Sequence, residues 1–296
     1  MHAVFLYPLY GFLAYISVMG LAFVLYNVLP SPPLILGFIA RSMSAYLALI
    51  VCAAYGTIAS AILKAFGLHY KYAQWTTARS FKWVGKLMIG VDFVIEGDGK
   101  QVLRNTRPAV IVGNHQTELD ILMLGSLFPQ SCSVTAKKSL KKVPFLGWFM
   151  TLSGAVFIDR ADRTAAMKAF EGAAKIMKEK QQSVFMFPEG TRSYSAEPML
   201  LPFKKGAFHF AVQAQVPILP TVSENYSRVL NVKAKRFNAG TVRIRVLPAI
   251  STKGKTAADV DDLLQQTRES MLGALHEMAR DSKSKVASDG ALKKNA

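Results

Sequence analysis

Acidic residues are few, cysteine is nearly absent, and the first forty positions carry no charged side chain. The 296-residue chain has 19 Asp and Glu against 36 Lys and Arg, a formal net charge of +17 carried entirely from Arg41 onward. Its two cysteines, Cys52 and Cys132, sit in unrelated contexts, which excludes a disulfide-stapled secreted domain. Residues 1–5 lack a basic n-region and the apolar run after them is too long for an h-region, which argues against a cleaved signal peptide. What is present is bulk: 18 Phe, 10 Tyr and a hydrophobic fraction of 51% exclude disorder and are high for a soluble enzyme. The composition points to a basic domain attached to a membrane.

Residues 3–28 are uncharged, and Leu9 to Val28 alone supplies the roughly 20 residues that cross a bilayer core as a helix. Pro30, Pro32 and Pro33 break the chain, and a second uncharged stretch runs from Ser42 to Leu63. A two-helix hydrophobic hairpin over residues 1–66 is therefore expected. Arg41 lies between its arms, whereas Lys64, Lys71, Arg79, Lys82 and Lys86 follow the second, which places the C-terminal domain in the cytosol. Hydropathy does not separate two spans from a re-entrant or interfacial hairpin. Residues 67–91 read as an interfacial linker.

Beyond it, short apolar runs alternate with helical segments, the pattern of an α/β domain over residues 92–280 with a mixed sheet flanked by helices. Strands are expected at Asp92–Ile95, Ala109–Gly113, Ser133–Ala136, Ala155–Ile158, Val184–Phe187, Ile218–Val222 and Val242–Leu247. Met167, Phe170, Ala174 and Met177 share one face of a helix over Arg163–Gln182. A final helix over Ala257–Arg280 follows a Thr256–Asp259 capping box, and residues 281–296 form a basic tail expected to be disordered.

Four blocks carry chemistry. In Asn114-His-Gln-Thr-Glu-Leu-Asp120, five positions inside a helix turn through about 500°, so His115 and Asp120 meet only if His115 lies in the loop before it. Asp120 then fixes the imidazole tautomer and leaves the other nitrogen as a general base. The competing reading makes Thr117 an N-cap and Asp120 a capping residue. With His115, Glu118 and Asp120 alone nearby, a metal site is not expected, and no Gly-x-Ser-x-Gly elbow marks an acyl-enzyme.

In Phe187-Pro-Glu-Gly-Thr-Arg-Ser193, Gly190 permits close backbone approach and Arg192 offers a fork of donors suited to a phosphate monoester. Gly154–Arg160 delivers an Asp and an Arg to a strand end. Lys137–Met150 runs lysines into an apolar aromatic loop, the order of residues expected over anionic headgroups.

In this order, with Val216-Pro-Ile-Leu-Pro220 after them, these blocks resemble the glycerophospholipid acyltransferase family, specifically its 1-acyl-sn-glycerol-3-phosphate acyltransferases of fungal type. The resemblance covers roughly residues 70–250. It departs at Ser139, where related enzymes often carry Glu, so the family's lysine corresponds to Lys137 or Lys138.

The resemblance implies transfer of an acyl group from acyl-CoA, a co-substrate, to the sn-2 hydroxyl of lysophosphatidate, with no cofactor and no metal. It makes His115 the general base and Asp120 its orienting partner. Asn114, Lys137 or Lys138, Arg160, Glu189, Gly190, Thr191 and Arg192 become substrate-binding residues. It also implies the endoplasmic reticulum membrane, or lipid droplets, as location. The rivals are an acyltransferase for another lysophospholipid or glycerol 3-phosphate, and a non-catalytic tether for anionic lipid. Nucleic acid is not an expected partner, because the charge adjoins apolar loops and a membrane anchor.

Overall fold

The computed structural model describes residues 2–159 and 163–294. Two long helices come first, α1 (His2–Val28) and α2 (Leu34–Ala65), divided by the prolines. A small-residue stripe on α2 (Ala40, Ser44, Ala48, Cys52, Gly56, Ser60) is buried where α2 packs on α1 and on α3 (His69–Ile89), with Ser44 Oγ donating to Met19 Sδ of α1. Small side chains let the backbones approach closely. A Cβ at Gly56 would lie 2.6 Å from Thr77 Cγ2. The opposite face of α2 (Tyr46, Ile50, Ile58, Ile62) and nearly all described side chains of α1 leave apolar surface exposed.

This arrangement corrects one expectation. Residues 67–91 are not a linker: α3 buries Ala73, Thr77, Ala78, Phe81, Gly85 and Ile89. Its many cations sit on the remaining faces and obscure this pattern in the sequence.

The seven expected strands all form, and they make one sheet. They are β1 (Val91–Ile95), β2 (Val110–Gly113), β3 (Cys132–Lys137), β4 (Val156–Ile158), β5 (Ser183–Met186), β6 (Ile218–Ser223) and β9 (Gly240–Val246), in the order β1-β9-β6-β2-β5-β3-β4. Strands β6, β2, β5, β3 and β4 are parallel to one another, while β9 runs antiparallel to β6 and parallel to β1. The sheet is therefore mixed.

β2, β5 and β6 are buried throughout, as strands covered on both faces must be. Alternate residues serve opposite cores. Val110, Val112, Val184, Met186, Ile218 and Val222 pack with α7 (Arg163–Lys180), α8 (Gly206–Ala214) and α9 (Val260–Lys294). Ile111, Phe185 and Leu219 pack on the other side with α3 and α5 (Asp120–Leu127).

Two short helices, α4 (Gly99–Asn105) and α6 (Leu146–Leu152), and a small hairpin of β7 (Leu230–Asn231) and β8 (Arg236–Phe237) complete the fold. The Thr256–Asp259 capping box forms as expected, ahead of a 3-10 turn that leads into α9. The helix does not stop near Arg280: residues 281–294, expected to be disordered, continue α9. That stretch contains no proline to break the helix, and at its start Asp281 pairs with Arg245 and Ser282 hydrogen-bonds to Arg243 and Glu224.

Candidate active site

Four parallel strands end side by side, and each delivers one of the sequence blocks. His115 follows β2, the Phe187–Ser193 turn follows β5, Lys137 closes β3, and Asp159 follows β4. The carboxyl edge of parallel strands is where α/β folds place their ligands.

The chain between β2 and α5 holds His115 outside the helix, as its pairing with Asp120 requires. His115 Nδ1 lies 2.7 Å from Asp120 Oδ2, the ring 18% exposed and the carboxylate 2%. The same oxygen accepts from the backbone N–H of Gln116 at 2.7 Å and of Thr117 at 3.2 Å. One carboxylate oxygen thus meets both the imidazole and the loop ahead of α5, whereas the expected helix cap does not form: the N-cap position is Leu119, which makes no side-chain capping bond. α5 begins at Asp120, and Thr117 Oγ1 accepts from the N–H of Leu119 at 3.2 Å.

With a carboxylate that only accepts, the Nδ1 proton faces Asp120 and Nε2 is left for chemistry. The imidazole stacks on Phe187 at 3.9 Å between ring centroids with 14° between planes, which fixes the direction Nε2 points.

One residue of this arrangement was not foreseen. Tyr226, fully buried, donates its hydroxyl to Asp120 Oδ1 at 2.6 Å from 106 positions away. Burial and the neighbouring Asp120 charge push its phenol well above the ordinary value, so it stays a donor. A hydrogen bond to a charged acceptor is worth about 2 kcal/mol. Tyr226→Phe is therefore expected to lower stability by roughly that amount, read from thermal unfolding in detergent. It should also lower kcat more than it raises KM, a split that loss of packing alone would not produce.

Glu189 braces the site from the other side. Its Oε1 accepts from the backbone N–H of His115 at 2.7 Å and its Oε2 from Leu201 at 2.9 Å. Burial raises its pKa, against the pull of those two N–H groups. Further bonds, Ser193 N to His115 O at 3.0 Å and Tyr194 N to Gln116 O at 3.1 Å, stitch the two loops together. Gly190, at φ +70°, adopts the left-handed conformation, and Lys204 passes over it: a Cβ there would lie 3.0 Å from Lys204 Nζ.

Asn114, a substrate contact by resemblance, has a structural role in the sheet. Both ends of its amide are engaged by Ser223, Nδ2 donating to the carbonyl and Oδ1 accepting from the N–H, each at 2.9 Å. It pins the end of β2 to β6.

Arg192 is brought to the site, yet its Nη1 donates to Glu118 Oε1 at 2.9 Å, beside Tyr194. That ion pair is 38% and 43% exposed, so a more highly charged anion can replace Glu118 at small cost. The buried Arg192 Nε has no hydrogen-bond partner among the described residues. Thr191 is exposed beside it. Lys138 pairs with Asp159 at 3.1 Å, whereas Lys137 is exposed and has no ion-pair partner among the described residues. Arg160 lies outside the described residues. Among those described, no three His, Cys, Asp or Glu side chains converge as metal ligands.

A family model described as acyltransferase matches residues 94–224, from the end of β1 to Glu224 just after β6. The chain is 44% identical over 238 residues to the 1-acyl-sn-glycerol-3-phosphate acyltransferase of Saccharomyces cerevisiae, covering 80% of this chain and 77% of that protein. The chain belongs to this acyltransferase family. The human 1-acyl-sn-glycerol-3-phosphate acyltransferase beta is 41% identical over 193 residues, 65% of this chain and 66% of that one. The crystal structure of the 1-acyl-sn-glycerophosphate acyltransferase of Thermotoga maritima shares the fold, with a TM-score of 0.65 at 23% identity over 83% of this chain and 96% of that one.

Proposed function

We propose that the protein transfers a fatty acyl group from acyl-CoA to the sn-2 hydroxyl of lysophosphatidate, giving phosphatidate and CoA. The observation that carries this reading is the His115–Asp120 pair at 2.7 Å, with its outer nitrogen at the edge where the basic strand ends converge. A secondary alcohol is a weak nucleophile at neutral pH. His115 Nε2 takes its proton as the oxygen attacks the thioester carbonyl, and Asp120 stabilises the imidazolium. The new ester C–O bond forms, the C–S bond breaks, and the imidazolium returns the proton to the departing thiolate. No covalent acyl-enzyme is needed.

Arg192 and Lys137 are the cations that take the acceptor's phosphate, Arg192 exchanging Glu118 for it. Arg192→Ala is expected to lower kcat/KM for lysophosphatidate by about tenfold to a hundredfold, the value of a charge-assisted hydrogen bond. A zwitterionic lysolipid should show a smaller loss. Equal losses with both acceptors would contradict the phosphate assignment.

The hydrophobic hairpin supports a membrane-resident substrate. α3 lies antiparallel along α2, from the Arg41 hydrogen bond to Ile89 down to the Tyr55 hydrogen bond to Thr76. An α2 that crossed the bilayer would carry Lys71, Arg79, Lys82 and Lys86 of α3 into hydrocarbon, which is costly. The hairpin is therefore read as immersed in one leaflet, with α1 the more deeply inserted arm and the domain on the cytosolic face of the endoplasmic reticulum. Exposed Val143, Phe145 and Trp148 continue this apolar surface, and Thr57 of α2 donates to the Phe145 carbonyl at 2.9 Å. Lipid thus reaches His115 from the membrane surface without full extraction.

A further inference from the structure

A cavity of about 600 Å³ opens between α3, α4, β1 and the end of α5. Its position separates it from the reaction site. β1 runs antiparallel to β2, so Val94 and Ile95, which line the cavity, lie toward the opposite edge of the sheet from His115. α5 likewise starts beside His115 and reaches the cavity at Ser126 and Leu127, roughly 10 Å along its axis.

Five cations line the cavity, Arg79, Lys82, Lys100, Arg104 and Arg107, and no acidic residue does. Two of them are fixed by the fold. Arg79 donates to the carbonyls of Gly125, Ser126 and Phe128, and Arg107 to those of Arg104 and Gln130. Lys82 has one weak counter-charge, Asp92 at 4.0 Å, which Lys86 holds more closely at 2.8 Å. Lys100 and Arg104, one turn apart on α4, are exposed and have no ion-pair partner among the described residues. Burial pushes the Lys82 ammonium below its ordinary value, and Arg79 and Lys100 push the same way against Asp92. Burial, then Arg104, does likewise to Arg79. Concentrated positive charge with little internal compensation favours an external anion.

The rim identifies the kind of anion. Trp75 and Trp83 of α3 line the cavity, and Trp83 and Leu87 are 63% and 86% exposed one turn apart on the helix that packs against the hydrophobic hairpin. Tryptophan, leucine and clustered cations together suit the headgroup layer of a bilayer. We propose that this cavity binds the phosphate group of an anionic phospholipid at the membrane surface, as a second lipid site apart from the site of reaction. Occupancy seats α3 against the headgroups and holds the domain in one orientation on the bilayer. The inference does not depend on which acceptor the reaction site uses.

The three tryptophans of the chain allow a direct test, because Trp75 and Trp83 both line the cavity and only Trp148 lies elsewhere. The full chain carrying Trp148→Phe, in neutral detergent micelles, is titrated with phosphatidylserine, phosphatidylcholine, inorganic phosphate and CoA while tryptophan fluorescence is followed. Phosphatidylserine is expected to give a saturable change and phosphatidylcholine none. Adding Lys100→Ala and Arg104→Ala should weaken the phosphatidylserine response about thirtyfold, at about 1 kcal/mol per cation at a lipid surface. Both are exposed positions on a short helix, so folding and turnover in neutral micelles should be unchanged. Identical titrations with and without the two substitutions, or an equal response to phosphatidylcholine, would overturn the proposal. Saturation by inorganic phosphate or CoA without a response to phosphatidylserine would overturn the lipid assignment in favour of a soluble anion.

Discussion

Replacing His115 with alanine is expected to lower phosphatidate formation by about a thousandfold or more, within the range that general base catalysis contributes. The fold should survive. The ring is partly exposed, and Asp120 keeps three other donors, the Gln116 and Thr117 N–H groups and the Tyr226 hydroxyl, so no buried carboxylate is abandoned. Circular dichroism and vesicle binding should match the unaltered protein, and thermal unfolding should show a loss of about 2 kcal/mol, the value of the one hydrogen bond to Asp120 that is removed. A loss of turnover with fold and vesicle binding retained separates the enzyme from a lipid tether, whose membrane binding would be its whole function. A variant that kept its full rate would remove His115 from the mechanism.

Asp120→Asn is expected to have the second-largest effect, about a hundredfold or more in kcat. The asparagine oxygen can keep accepting from Gln116 and Thr117, and its amide can donate to the Tyr226 oxygen, so the turn into α5 is retained. What is lost is the negative charge that stabilises the imidazolium. Asp120→Ala differs in kind. It strands the buried Gln116 N–H and removes the carboxylate acceptor of the Tyr226 hydroxyl, while Thr117 N–H keeps the Tyr226 oxygen, and should cost about 3 kcal/mol of stability. Comparing the two variants separates charge from architecture: if asparagine unfolded the protein as readily as alanine, capping would be the main role of Asp120.

Much of this was readable before any coordinates. The seven sheet strands were visible because β2, β5 and β6 are buried on both faces and read as unbroken apolar runs. The His115–Asp120 pair was readable because their separation admits a contact only across a loop-to-helix junction, which the structure provides. Tyr226 was not, since a hydrogen bond spanning 106 positions leaves no local pattern and the phenol sits in an ordinary turn after β6. Nor was the placement of α3. Its buried stripe is made of Ala, Thr and Gly as well as Phe and Ile, so the lysines and arginines around it dominate the reading. Asn114 illustrates a different limit. The resemblance made it a substrate contact, and nothing local in the sequence signals that its amide also joins β2 to β6.

The same geometry explains why Arg192 is available rather than locked. Its exposed pairing with Glu118 holds the guanidinium at the site in the absence of an anion, and surface pairs of this kind are worth about 1 kcal/mol or less. A phosphate dianion offers more charge and a better match to the planar fork.

The most direct test of the central claim is turnover of lysophosphatidate with oleoyl-CoA by the purified full chain in mixed micelles, with the product's acyl position determined by regiospecific hydrolysis. The proposed function predicts phosphatidate bearing the new oleoyl chain at sn-2, one free thiol released per molecule formed, and no labelled acyl-protein during the steady state. Absence of phosphatidate, or transfer that proceeds through an acylated protein side chain, would contradict it.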